Sequence, residues 1–459
     1  MREFLDTQRI EPEKRLVVER TKDFNEIYEF FETKEAASQS DRCIQCGDPY
    51  CLNKCPLHNY IPQWLKAIAE KDLEFAFKLS NEPSPFPEVM GRICPHDRLC
   101  EGDCTLNDGH GAITIGSIET YINEEGFKNG LTPDFPGVTS DKRVAVIGSG
   151  PAGLSVATYL LRAGIGVDMY EKADRAGGLL TYGIPGFKLD KKVVERRVKT
   201  LLEAGLNLVL NCEIGKDVSF DELTNKSDAI FIGIGATKAK VAGLENENAK
   251  GVFAAMQYLT AIQSKNFGDK YDKSMDLKDK NVVVIGGGDT AMDCVRTAKR
   301  EGAKSVTCLY RRDSHNMPGS QKEYKNAKEE GVNFTWYAAP KKILTNENGE
   351  VVGMEMIKTA LGQKDESGRA RMEEQKGSEF KVDADIVIMS LGFDPVNPSY
   401  FASNGVETNS WGGITVDDNF ETSTSGIFAG GDCYRGADLV VRAAYDGREA
   451  ARAIIKSFN

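Results

Sequence analysis

No apolar run in this 459-residue chain is long enough to cross a bilayer. The longest, such as Val282–Ile285, stop far short of the roughly 20 residues a spanning helix needs. No basic stripe stands out either. The net charge is −11, from 58 Lys and Arg against 69 Asp and Glu, so nucleic acid is not an expected partner. The opening stretch, MREFLDTQRIEPEKR, lacks the apolar core of a secretory leader, and a cytoplasmic, reducing setting is expected. Low-complexity segments are missing too. What remains is ordinary for a globular chain, 41% hydrophobic and 28% charged, and too long for one core.

Cysteine is what the chain has in excess. Seven of its eleven cysteines fall between Cys43 and Cys104. Cys43, Cys46, Cys51 and Cys55 read C-x2-C-x4-C-x3-C-P, and Cys94, Cys100 and Cys104 follow as C-x5-C-x3-C. Without a leader, thiols at this density point to metal-bound thiolates rather than disulfides. Zinc is a rival, because His58, His96 and His110 lie among the cysteines and zinc accepts Cys/His mixtures. The C-P ending favours iron–sulfur clusters, since it matches the bacterial ferredoxin run whose fourth cysteine serves the other cluster. Two four-iron clusters need eight ligands, and the cysteines number seven.

The first 135 residues read as helical. Phe24–Phe31 and Ile61–Leu79 carry apolar residues at three- and four-residue spacing. The Pro- and Gly-containing stretch Leu131–Lys142 reads as a linker. Beyond it, Val/Ile-rich strands run into glycine turns and then helices, twice.

The first such unit, RVAVIGSGPAGL, carries Gly148, Gly150, Pro151, Ala152 and Gly153. The first glycine permits a tight turn, the second lets backbone approach a pyrophosphate, and the third lets helix pack on strand. The pyrophosphate then sits at a helix N-terminus, among free N–H groups. Glu171 ends the next strand, 23 residues past Gly148, where a carboxylate can accept from ribose hydroxyls. The second unit, NVVVIGGGDTAMD, offers Gly286, Gly288, Asp289, Thr290 and Ala291. Its next strand ends in Arg311 and Arg312 rather than an acid, which suits the 2′-phosphate of NADP.

The stretch after Glu171, with Arg175, Gly178 and Leu179, resembles FAD-binding oxidoreductases built on two dinucleotide domains. In that family a late Gly-Asp contacts FAD, and Gly431 and Asp432 match it. The helix expected over Ala437–Ala451 would aim its N-terminus at the flavin ring. Cys212, Cys294, Cys308 and Cys433 form no C-x2-C or C-x4-C pair, which argues against disulfide reduction and leaves them as structural thiols. The expected fold is α/β: two Rossmann-like dinucleotide-binding domains in a glutathione-reductase-like layout, preceded by an α-helical iron–sulfur domain. Its expected divisions are 1–135 for the clusters, 141–250 with 386–459 for FAD, and 251–385 for NADP.

Several linked motifs, SDRCIQCGDPYC, GRICPHDRLCEGDCTLNDGHGAITIGSIETYI, VIGSGPAGL, VIGGGDTAMD, YRRD and MPG, resemble the small (β) subunits of bacterial NADPH-dependent glutamate synthases. Relatives with the same layout are the N-terminal half of dihydropyrimidine dehydrogenase and the large subunit of the electron-bifurcating ferredoxin–NADP oxidoreductase. The resemblance implies cross-wired ligation. Cys43, Cys46, Cys51 and Cys104 would hold one [4Fe–4S] cluster, and Cys55, Cys94 and Cys100 the other. It also implies that Glu119, in IGSIE, supplies the eighth ligand. NADPH and FAD would be the other cofactors, and a large glutamate synthase (α) subunit, or another electron-accepting subunit, the partner. No acid–base catalytic residue is expected, since the redox chemistry belongs to the cofactors.

Overall fold

The computed structural model describes residues 3–364 and 370–458. The expected domain limits at residues 1 and 459 lie outside the described residues.

The cysteine-bearing part is built from short helices: α1 (Thr33–Asp41), α2 (Ile61–Ala69), α3 (Leu73–Asn81), α4 (Pro87–Ile93) and α5 (Ile115–Lys128). The periodic run Ile61–Leu79 divides in two. Lys71 turns the chain at a φ of 64°, and the Asp72 carboxylate accepts from the Phe75 backbone N–H to start α3. Trp64, Leu65, Phe77, Ile118 and Ile122 form the core of this part. The helix expected over Phe24–Phe31 does not form. Tyr28 bridges Lys14 as extended chain, and the Ile27 N–H donates to the Phe187 carbonyl 3.3 Å away. Ile27 and Phe31 are buried, so distant partners overrode local periodicity.

The linker leads to a five-stranded parallel sheet. It contains β1 (Arg143–Ile147), β2 (Gly166–Tyr170), β3 (Leu206–Val209) and β4 (Ala229–Ile232). Helix α6 (Pro151–Arg162) connects β1 to β2. A second parallel sheet uses β5 (Val252–Ala254), β6 (Asn281–Ile285), β7 (Ser305–Tyr310) and β8 (Asn333–Trp336), with α7 (Asp289–Arg300) after β6 and α8 (Gln321–Glu329) after β7. Three antiparallel strands follow, β9 (Ala338–Thr345), β10 (Val351–Lys364) and β11 (Ala370–Asp383).

The expected return to the first sheet at residue 386 is corrected by the pairing. Ile386–Met389 (β12) runs parallel between β5 and β6, in the second sheet. Its four residues are all buried and apolar, as expected of a parallel strand covered on both faces. The chain crosses back beside an antiparallel pair, Lys238–Ala239 with Phe393–Asp394. Only then does β13 (Ile427–Ala429) join β4, giving the order β13-β4-β1-β2-β3. The last helix, α9 (Val440–Ser457), lies on α6. No helix among the described residues is long and apolar enough to cross a membrane.

The core of the first sheet is shared. Leu57, Phe86, Val89, Met90 and Leu99 of the cysteine-bearing part pack into the same cluster as Val144, Leu154 and Val441.

Candidate functional site

The seven N-terminal cysteines sort into two cavities. Cys43, Cys46, Cys51 and Cys104 line one of them. Cys55, Cys94, Cys100 and Glu119 line the other. Ile115 stands in both walls. Local backbone explains the sorting. Gln45 takes a φ of 51°, turning the chain between Cys43 and Cys46. Cys55 and Cys94 each follow a short helix in extended conformation, so each leaves its own helix axis.

Burial is the main electrostatic fact here. It pushes the Cys43 thiol up to about 11 and Cys51 to about 12, and raises Cys55, Cys94 and Cys100 as well. It also pushes the Glu119 carboxyl up to about 8, against the Asn59 hydrogen bond that lowers it. Ligands this reluctant to ionise gather as anions only around compensating positive charge. Among the described residues, no three His, Cys, Asp or Glu side chains sit close enough to share a single ion. Thiols spaced around a void fit a group with its own volume, such as a four-iron cluster, better than zinc. Glu119 is oriented by a relay. The Asn59 side-chain amide donates to its Oε1 at 2.6 Å, and Trp64 Nε1 donates to Asn59 Oδ1 at 3.3 Å. His58 and His110 are exposed, whereas His96 joins the wall of the second cavity.

The first dinucleotide turn forms because β1 and β2 are in register. Ile147 pairs with Tyr170, so Gly148 leaves the sheet beside Glu171. A Cβ on Gly153 would stand 2.0 Å from the Gly148 carbonyl oxygen, and one on Gly148 2.6 Å from that of Gly233. A Cβ on Gly150 would meet nothing within 4 Å, which is open space of the kind a pyrophosphate requires. Pro151 opens α6 without an N–H, and Ala152 is buried beneath it. Glu171 accepts from the Ser149 N–H and hydroxyl at 3.0 and 2.6 Å, and from the Ala173 N–H. Gly178 packs on Gly150, and Gly431, at a φ of 76°, packs on Ala152. Asp432 follows, its carboxyl pushed up to about 7 by burial. Leu179 opens a short helix nearby. Arg175 is engaged elsewhere, paired with Asp269 at 2.7 Å and lying over the Phe267 ring.

The second turn repeats the geometry. Ile285 pairs with Leu309, which puts Arg311 and Arg312 just past the end of β7. Gly288 faces open space and Ala291 is fully buried. Asp289 and Thr290 open α7. The two arginines are not equivalent: Arg311 is exposed, and Arg312 is 7% exposed.

Three contributors were missed by sequence reasoning. Arg98, between Cys94 and Cys100, donates to Asp289 Oδ2 at 3.0 Å and to the Pro318 carbonyl, tying the second cavity's loop to α7. Asn59 orients Glu119. Val441, in the first turn of α9, completes the wall of the second cavity. Arg98 lies within the second cysteine motif, where nothing in the spacing assigns it a role, and Asn59 and Val441 lie outside the motifs; long-range contacts reveal all three. Cys212, Cys294, Cys308 and Cys433 are buried, as expected of structural thiols.

The fold and these paired glycine turns define a two-sheet dinucleotide oxidoreductase carrying a ferredoxin-like cysteine domain in front. Comparison with known families agrees. Residues 20–131 match dihydropyrimidine dehydrogenase domain II, 4Fe-4S cluster, and residues 142–447 match pyridine nucleotide-disulphide oxidoreductase. The chain is 50% identical to the glutamate synthase [NADPH] small chain of Escherichia coli, over 99% of this chain and 98% of that one. It is 47% identical to the Halomonas elongata small chain, over 99% and 97%. It belongs to the glutamate synthase [NADPH] small-chain family. Among solved structures, Mycobacterium tuberculosis FprA in complex with NADPH shares the fold, with a TM-score of 0.58 at 18% identity, covering 70% of this chain and 85% of that one.

Proposed function

We propose that this chain takes electrons from NADPH at FAD and passes them through two [4Fe–4S] clusters to a large glutamate synthase subunit. That subunit would make L-glutamate from 2-oxoglutarate and glutamine. The observation that carries the electron-transfer reading is the sorting of seven thiols and Glu119 into two four-donor cavities. The choice of large subunit follows from the full-length similarity to small chains.

In this reading the part up to residue 135 holds the clusters. The first sheet holds FAD and the second NADPH. Gly148, Gly150 and Gly153 admit the flavin pyrophosphate, with Glu171 at its ribose and Asp432 at its ribityl–phosphate end. Gly286, Gly288 and the start of α7 do the same for the nicotinamide nucleotide, with Arg311 and Arg312 at its 2′-phosphate. Bound FAD supplies the conversion between a hydride's electron pair and single electrons. The cavity of Cys55, Cys94, Cys100 and Glu119 lies on the flavin side, because Val441 of α9 is in its wall. The other cavity is the exit, since Gly47, Asp48 and Tyr50 of its loop are exposed.

The test is to load the chain with cofactors and assay it anaerobically with and without a large subunit. NADPH should bleach the flavin and cluster absorbance of the chain alone. Glutamate should form from 2-oxoglutarate and glutamine only in the complex. A native partner that proves to be a small flavin/[2Fe–2S] protein would overturn the glutamate synthase assignment.

A further inference from the structure

The two cysteine cavities differ in how their polar walls are satisfied. In the first, the Gln45 amide donates to Cys43 Sγ at 3.3 Å, and Thr105 Oγ1 lies 3.3 Å from Cys46 Sγ. In the second, two wall residues have buried polar atoms with no hydrogen-bond partner among the described residues: Ser84 Oγ and His96 Nε2. Ser84 is fully buried and held between Pro83 and Pro85. Arg448 of α9 fixes this segment by donating to the Pro83 carbonyl at 3.0 Å. The His96 ring is backed by Gly116 at the start of α5, where even a Cβ would come within 2.3 Å of it.

A buried polar group left unpaired costs about 1–3 kcal/mol, and native proteins seldom tolerate it. Two such groups in one small cavity call for a partner that the cavity's contents supply. Its three thiolates and an inorganic sulfide core would be hydrogen-bond acceptors, and a hydroxyl and a neutral imidazole N–H are donors. We propose that the Ser84 hydroxyl and His96 Nε2–H donate hydrogen bonds to sulfur of the cluster held by Cys55, Cys94, Cys100 and Glu119. This rests on the cluster reading above. The role is positioning and tuning. Donors to cluster sulfur stabilise the reduced, more negative state and raise its potential. They thereby offset the anionic oxygen of Glu119, which acts the opposite way.

The test uses the full cluster-loaded chain with Ser84→Ala, His96→Leu, His96→Gln and the Ser84→Ala/His96→Leu double variant. Iron and sulfide content is measured first, then the midpoint of each cluster by EPR-monitored redox titration. One cluster's midpoint should fall in each of the Ser84→Ala and His96→Leu variants and fall further in the double. The other cluster should stay at its wild-type value. His96→Gln, which keeps a donor, should lie nearer wild type than His96→Leu. Unchanged midpoints in a fully loaded double variant would overturn the proposal and leave buried water as the partner. Loss of iron in His96→Leu but not in Glu119→Ala would also overturn it, by making His96 rather than Glu119 the ligand. A wild-type chain that holds no second cluster would instead sink the underlying cluster reading.

Discussion

A carboxyl buried as deeply as Glu119, with its pKa pushed up to about 8, gains nothing by ionising unless iron stands beside it. Glu119→Ala should therefore lose or alter one cluster's EPR signal and leave the other. Glu119→Gln, which keeps an oxygen, should retain more iron than the alanine variant. The arginine pair separates by exposure. Arg311 is open to solvent while Arg312 is buried. A charge-assisted hydrogen bond is worth about 1.5–3 kcal/mol, so Arg311→Ala should lower kcat/KM for NADPH roughly ten- to hundredfold. The value for NADH should barely move, and an unchanged NADPH/NADH ratio would remove Arg311 from the nucleotide site.

Between elements, the decisive contact is where α9 crosses α6. Gly447 lies so close that a Cβ would stand 2.3 Å from the Ala152 carbonyl oxygen and 2.8 Å from Ser155 Cβ. Ser155 Oγ also donates to the Ala444 carbonyl at 2.6 Å. These contacts hold the middle of α9 against the start of α6, just beyond Val441 in the wall of the second cavity. Gly447→Leu should force the helices apart, at about 1–3 kcal/mol of overpacking. Calorimetry should show the lower melting temperature, and FAD should be released more readily during desalting. A wild-type melting temperature with full flavin would show that the crossing is tolerant.

Across the whole molecule, a buried ionic network joins parts far apart in sequence. Glu330 accepts from Arg20 of the N-terminal arm and from Arg296 and Arg300 of α7. Lys188 pairs with Asp293 at 2.9 Å, and the Phe187 ring lies 4.4 and 3.9 Å from the Arg296 and Arg300 guanidinium carbons. Burial pushes the Glu330 carboxyl up, but the hydrogen bonds and charges of Arg296 and Arg300 outweigh it and hold it at about 2, below the ordinary 4.5. A depressed carboxyl stabilises the fold fully above its unfolded pKa and loses that contribution as pH falls through the folded one. Stability should accordingly drop between about pH 4.5 and pH 2, and Glu330→Gln should flatten that drop. The substitution should also cost about 3–5 kcal/mol at neutral pH, because it strands buried arginine charge. Urea unfolding at several pH values measures both effects.

Much of this was legible from the chain alone. The glycine turns were, because their spacing answers to backbone sterics that hold in any context, and Arg311 and Arg312 fell at the strand end where their motif put them. The cysteines announced metal by density. Local pattern failed where distant contacts decided the outcome. Phe24–Phe31 stays non-helical where Ile27 bonds to Phe187 and Tyr28 bridges Lys14, and β12 belongs to the second sheet because it pairs in parallel register with both β5 and β6. The sequence by itself determined which chemical groups this protein carries and how they are spaced, since that follows from covalent order. Only the tertiary structure decided which thiols share a cavity, that Asn59 orients Glu119, and that Val441, Ser84 and His96 close the second cavity. Those pairings join residues tens to hundreds of positions apart, and such contacts exist only once the shared core has formed.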